Sequence, residues 1–284
     1  MAGPELLSLD ADAGRGAAAL APLTWYPGER ADMPVVLVVP ALGTPAGVYR
    51  RLAESLAAQG LQAAVVELRG VGRSPVRARR GVDWGYADLV DGEIAHAVQA
   101  LRAHCPQAPI FGLGHSLGGH ALLLHQARRI DQPLAGVALV ASGTPWWRNY
   151  RGGARWMVRL LGLAADRSSR WCGYYPGDWL RFGGRQGARL MREWAHLVGH
   201  GSFAESIWPD GGWRDALRGL RTPVLGIAMP GDAYTPFESL KHLLHIVGHA
   251  EAGEMLEVDG RPGHFGWLKQ PAPLAGRVAR WMRG

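Results

Sequence analysis

The stretch Gly114-His115-Ser116-Leu117-Gly118-Gly119 constrains this chain more than any other. It fits the G-x-S-x-G nucleophile-elbow pattern, a sharp strand-to-helix turn that presents a serine hydroxyl clear of a sheet. Its context suits that turn. Pro109-Ile110-Phe111-Gly112-Leu113 is short, uncharged and almost continuously apolar, as a strand buried on both faces would be. Residues from Ala121 onward are good helix formers with no proline before Pro133. Glycines at 114 and 118 leave room for the strained serine, and the N–H of Leu117, at the start of the helix, aims at a developing oxyanion.

The remainder alternates between strand and helix signals. Pro34-Val35-Val36-Leu37-Val38-Val39 reads as a buried strand and ends at the turn Pro40-Ala41-Leu42-Gly43, where Leu42 is the candidate second oxyanion donor. A helix is expected over 47–59, a strand over 63–68, and a long amphipathic helix over 86–103. Strands follow at 134–140, 222–228 and 254–258, with helices at 238–249 and 272–281. Leu6, Leu7 and Leu9 with Leu23, Trp25 and Tyr26 suggest a hairpin at the sheet edge. The alternation predicts an α/β fold with a mostly parallel central sheet and helices on both faces.

Eight of the twelve tryptophans fall between Trp146 and Trp213, in an excursion too long for a simple crossover. It reads as an inserted helical cap with helical pieces at 156–161 and 187–192. The expected division is a core of residues 1–143 and 218–284 with a cap at 144–217. Most of the tryptophans are expected to pack the cap; Trp146 and Trp147 are the candidates for lining a substrate pocket. Arg148, Arg151, Arg155 and Arg159 stand near them and could hold a carboxylate or phosphate.

A formal net charge of +7 would suit a nucleic-acid partner if the cations were clustered, but the arginines are spread along the chain and only Lys241 and Lys269 are lysines. No nucleic-acid partner is expected. The Gly-rich loop Arg69-Gly70-Val71-Gly72-Arg73-Ser74 matches neither phosphate-binding pattern. Cys105 and Cys172 are too few for a disulfide framework, and His, Asp and Glu nowhere take metal-ligand spacing, so neither metal nor cofactor is expected. Residues 1–30 lack a basic-then-apolar leader pattern and no apolar run reaches membrane-span length. A cytoplasmic protein without stable membrane insertion is expected. Nothing in the sequence sets an oligomeric state.

Asp232 lies in a turn just past a late strand, and His264 lies in a loop past the final one, so Ser116, Asp232 and His264 follow the chain order of an elbow-type triad. The rival acids Asp83, Asp88, Asp91 and Glu93 precede the elbow, while Glu257 and Asp259 come just before the histidine. Of the other histidines, His115 and His120 flank the elbow, and His96, His125 and His249 fall in helical patterns.

With these residues in place, the chain resembles the α/β-hydrolase superfamily over roughly residues 34–284. Gly173-Tyr174-Tyr175-Pro176-Gly177-Asp178, Phe182-Gly183-Gly184 and Met191-Arg192-Glu193-Trp194 are also similar to the cap of a bacterial group of predicted serine hydrolases. The departure is at the oxyanion turn, where many relatives carry His-Gly. The resemblance implies a serine hydrolase acting on a small-molecule ester, thioester or other acyl substrate with a bulky apolar group. The alternatives are an acyltransferase using the same triad with a non-water acceptor and a non-catalytic protein that binds a small ligand on the same fold.

Overall fold

The computed structural model describes residues 3–9, 20–130, 133–248 and 253–284. Its centre is an eight-stranded sheet of β1 (Glu5–Leu7), β2 (Leu23–Tyr26), β3 (Val35–Val39), β4 (Gln62–Val65), β5 (Ile110–His115), β6 (Gly136–Val140), β9 (Val224–Ala228) and β10 (Gly253–Met255). The spatial order is β1-β2-β4-β3-β5-β6-β9-β10, with β7 and β8 forming a separate ribbon described below. β1 and β2 pair antiparallel, as the expected edge hairpin, and β2 pairs antiparallel with β4; every pairing from β4 to β10 is parallel.

The valine run explains why β3 is central. All five residues are buried, and the strand's alternation sends Val35, Leu37 and Val39 into one core layer and Val36 and Val38 into the other. α1 (Arg50–Ala58) and α11 (Ala272–Met282) cover the second layer through Leu52, Leu56, Leu274 and Val278. The first layer is covered by α2 (Tyr86–Asp88), the π turn Leu89–Ile94, α3 (Ala95–His104) and α4 (Leu117–Arg128).

The helix expected over 86–103 is therefore interrupted, and Arg69 supplies the reason. Its Nη2 donates to the Asp88 carbonyl at 3.0 Å and packs where a side chain at Gly92 would stand. A side-chain donor on the Asp88 carbonyl competes with the backbone N–H that an α-helix would bring to it, which favours the wider π turn. Arg69 also grips buried Glu93 through two hydrogen bonds of 2.7 and 2.8 Å.

Between β6 and β9 come a 3-10 turn (Trp147–Asn149), α5 (Gly152–Cys172), β7 (Tyr175–Pro176), α6 (Gly177–Leu180), β8 (Arg185–Gln186), α7 (Ala188–His200) and α8 (Trp213–Arg218). α5 and α7 are far longer than the pieces expected from sequence. They pack together where Gly162 meets Val198, and each ends at a left-handed glycine, Gly173 or Gly201. α8 contributes Leu217 to the first core layer.

α9 (Phe237–Ile246) follows β9, and α10 (Gly263–Gly266) follows β10. The helix expected over 238–249 thus ends at Ile246, and His249 lies outside the described residues. The last strand is shorter than expected. Leu256 N–H still donates to the Ala228 carbonyl at 2.9 Å, but β9 has by then turned away toward Asp232, leaving residues 257–258 nothing to pair with.

Candidate active site

Ser116 joins β5 to α4 at φ 54° and ψ −119°, a region non-glycine residues rarely occupy. Its surroundings over-determine that conformation. The Ser116 N–H donates to Val140 O at 3.1 Å, while its carbonyl accepts the Ser142 hydroxyl at 2.7 Å and the Gly119 N–H at 3.0 Å. A β-carbon on Gly118 would stand 2.1 Å from the Val39 carbonyl oxygen, and one on Gly114 would stand 2.4 Å from the Gly119 backbone. The two pattern glycines are thus steric necessities. Leu117 is the first residue of α4, so its N–H belongs to the unpaired donors of a helix N-terminus.

The second turn is tied to the first by a tyrosine. Tyr49 O–H donates to His115 Nδ1 at 2.7 Å, and its oxygen accepts the Ala41 N–H at 2.8 Å. With Ala41 so engaged, Leu42 supplies the next N–H of the turn. Gly43 sits at φ 69°, and a β-carbon there would stand 2.3 Å from the Gly183 carbonyl oxygen, so the β7–β8 ribbon lies against this turn. Burial, then the nearby His264, holds the His115 imidazole well below its usual pKa, which suits a neutral ring accepting the tyrosine proton.

Asp232 and His264 are both buried and meet directly, His264 Nδ1 donating to Asp232 Oδ2 at 2.8 Å. Asp232 Oδ1 accepts the N–H groups of Tyr234 at 2.8 Å and Thr235 at 3.0 Å, an Asx-type turn. The Thr235 hydroxyl reaches Asp232 Oδ2, the Ala141 carbonyl at 3.0 Å and His264 Nδ1 at 3.2 Å. It has one proton, and the carboxylate is its strongest acceptor.

His264 lies in the one-turn helix α10 where a loop was expected. The turn is fastened by Gly263 N–H to Pro230 O at 3.0 Å and by Trp267 Nε1 to the His264 carbonyl at 2.8 Å. The His264 ring lies 4.8 Å from that of His115, the residue before Ser116, and 4.8 and 5.2 Å from Phe265 and Tyr234. Three chain segments thus converge on one spot beyond the carboxyl ends of β5, β9 and β10.

The rival acids are occupied or remote. Glu93 is held by Arg69, Asp88 pairs with Arg189, Asp83 accepts the N–H groups of Trp84 and Arg189, and Asp91 accepts the Trp208 indole N–H. Glu257 and Asp259 are exposed. His120 bonds Tyr86 O–H at 3.1 Å and Gly143 O at 3.0 Å, and burial pushes its pKa down to about 4. Among the described residues no group of three or more His, Cys, Asp or Glu is placed to hold a metal ion.

Trp146 stacks on His242 at 4.8 Å, and Trp147 stacks on Trp156 at 5.8 Å beneath Arg155 and Arg159. Trp147 also lines a cavity of about 660 Å³ between α5 and α7, together with Arg159, Arg189 and Glu193. Phe182 lies 5.3 Å from the Trp194 ring and 6.3 Å from that of Tyr234, which faces His264.

Tyr49, Ser142 and Thr235 have no place in the sequence reading, and Phe182 enters it only through the cap resemblance. Thr235 carried a signal, since an Asp followed at +2 and +3 by free N–H groups before Pro236 suits a side-chain turn. Tyr49 carried none, standing 66 residues from its partner.

A mostly parallel sheet in this strand order, with a serine elbow after β5, an acid after β9 and a histidine after β10, defines the α/β-hydrolase class. Within that class the chain belongs to the serine aminopeptidase S33 family, whose model matches residues 31–176. No curated protein sequence matches the chain significantly. Solved structures share the fold at low identity. The thioesterase domain from the curacin biosynthetic pathway is 16% identical over 99% of both chains with a TM-score of 0.58. The monoacylglycerol lipase of Paleococcus ferrophilus is 18% identical over 91% of this chain and 98% of that one, with a TM-score of 0.60. The 2-hydroxy-6-oxo-6-phenylhexa-2,4-dienoate hydrolase from Rhodococcus sp. strain RHA1 is 18% identical over 99% of both chains, with a TM-score of 0.61.

Proposed function

We propose that this protein is a serine hydrolase that cleaves an ester or thioester bearing a bulky apolar group. The observation that carries this reading is His264, whose Nδ1 is committed to Asp232 and whose ring lies 4.8 Å from that of His115, the residue before the strained Ser116. That bond leaves Nε2 as the basic nitrogen. Nε2 takes the Ser116 proton as Oγ attacks the carbonyl, and returns it to the departing alcohol or thiol. The Asp232 carboxylate holds the tautomer and stabilises the imidazolium. The N–H groups of Leu117 and Leu42 receive the oxyanion. Water then resolves the acyl-enzyme by the same route in reverse.

Residues 144–217 act as a cap over this centre. Phe182 and Tyr234 provide an apolar wall beside His264, with Trp146 and Trp147 farther out accepting longer acyl groups.

The test is a series of p-nitrophenyl esters of graded chain length, run beside amino-acid p-nitroanilides and with alcohol acceptors added. Turnover should rise from acetyl to medium-chain or aromatic esters, since each buried methylene is worth about 0.8 kcal/mol. Joint replacement of Trp146 and Trp147 by Ala should flatten that preference more than it slows acetyl-ester hydrolysis. A preference for acetyl over every longer ester, or for the anilides, would refute the substrate class. Acyl transfer outpacing hydrolysis would make the protein an acyltransferase.

A further inference from the structure

We propose that the outward face of α5 docks this protein on the surface of an anionic lipid bilayer. The helix has two apolar arcs. Val158, Gly162, Ala165 and Ser169 are buried, with Gly162 seated against Val198 of α7. On the far side Trp156, Leu160, Leu163 and Trp171 are 54%, 64%, 47% and 85% exposed. At about 100° per residue these four fall within an arc of about 80°, and Met157, 65% exposed, stands beside it. Small residues make the internal contact and large apolar ones face water, so the outer stripe contributes little to the fold.

Charge identifies the occupant. Residues 148–172 carry Arg148, Arg151, Arg155, Arg159, Arg167 and Arg170 against a single acid, Asp166. Asp166 is already bound by Arg170 and Arg192, and among the described residues the other five arginines have no acidic partner. A second copy of this face would bring arginine against arginine, at a cost of several kcal/mol for like charges. A nucleic acid would meet the arginines and leave Leu160 and Leu163 in water. An anionic bilayer satisfies both, taking leucines and tryptophans at the boundary of the acyl region and arginines among the phosphates. Among the described residues no helix is long and apolar enough to cross a membrane, so α5 lies along the surface.

The experiment is flotation of the full chain carrying Ser116→Ala, so that lipid is not consumed, with vesicles of phosphatidylcholine alone or containing phosphatidylglycerol. It reads binding alone and so stands or fails separately from the esterase reading. Binding to the anionic vesicles should exceed that to the neutral ones by about tenfold or more and should weaken with added salt. Leu160→Ser with Leu163→Ser and Trp171→Ser should weaken it by about tenfold or more. The same triple variant with Ser116 intact should keep the parent's melting temperature and acetyl-ester turnover. No binding, or equal binding to both vesicle types, would overturn the proposal. So would a dimer in sedimentation that the triple variant dissolves, or capture of an oligonucleotide in place of vesicles.

Discussion

The elbow and the outer face of α5 are opposite solutions to burying apolar sequence. At the elbow, backbone meets backbone: added β-carbons at Gly114 and Gly118 would stand 2.4 and 2.1 Å from main-chain atoms, and Ser116 is held in its strained conformation by three hydrogen bonds. Along α5 the inner arc is packed, while Trp156, Met157, Leu160, Leu163 and Trp171 are exposed outside it. The first region is shaped by what cannot move, as a reacting centre requires; the second by what is left uncovered, as an interaction surface requires. Substitutions should therefore act through chemistry or backbone fit in one and through association in the other.

The largest effect should come from Asp232→Asn. The amide can hold His264 in the wrong tautomer, and kcat on the best ester should fall by about 10⁴ while the melting temperature changes little. Undiminished turnover would remove Asp232 from the mechanism. Next, Gly118→Ala and Gly162→Ala set the two regions side by side. The first drives a methyl into the Val39 carbonyl and should cost roughly 3 kcal/mol of stability in chemical denaturation. The second meets Val198 Cγ1 at 2.7 Å and Cβ at 3.0 Å, so the two helices must part slightly, a strain partly offset by alanine's better helix propensity, and it should cost roughly 2 kcal/mol. Equal costs would mean that the elbow is no more rigid than the α5–α7 contact.

A subtler effect concerns Glu193 of α7, where the excursion meets the core. Oε2 accepts the Tyr86 N–H at 2.8 Å, and burial raises the carboxyl pKa to about 7. Below the unfolded value, near 4.5, folded and unfolded states are both protonated and no stability is lost. As the pH rises toward 7 the unfolded chain ionises first, so stability falls, by about 3 kcal/mol in all. Glu193→Gln should remove this slope, and its melting temperature should gain on the parent's between pH 5 and 8. Parallel pH profiles would show that the carboxyl is not desolvated.

The same contrast accounts for what could be read from sequence. The five-residue valine and leucine run of β3, the short glycine-bounded strand before Ser116 and the acid just after β9 are local patterns, and local patterns give strands, turns and their order. The placing of Asp232 and His264 rests on their loops just past late strands and on chain order, and the structure sets the two side chains in hydrogen-bond contact. The Tyr49 bridge between the Ala41 turn and His115 joins groups far apart in the chain and has no sequence period. The sequence pattern understates α5, because apolar residues on both its arcs blur the 3.6-residue repeat. The π turn at Leu89–Ile94 depends on Arg69, which comes from another element. The contacts of Trp146 and Trp147 likewise depend on His242 and Trp156, beyond the reach of composition.

Ser116 as a nucleophile activated by His264 can be tested directly. A fluorophosphonate reacts with such a serine, and peptide mass spectrometry locates the adduct. One adduct is expected, on the peptide containing Ser116, absent in Ser116→Ala and formed far more slowly in His264→Ala. Esterase activity that persists in Ser116→Ala, or an adduct on another residue that tracks the loss of activity, would contradict it.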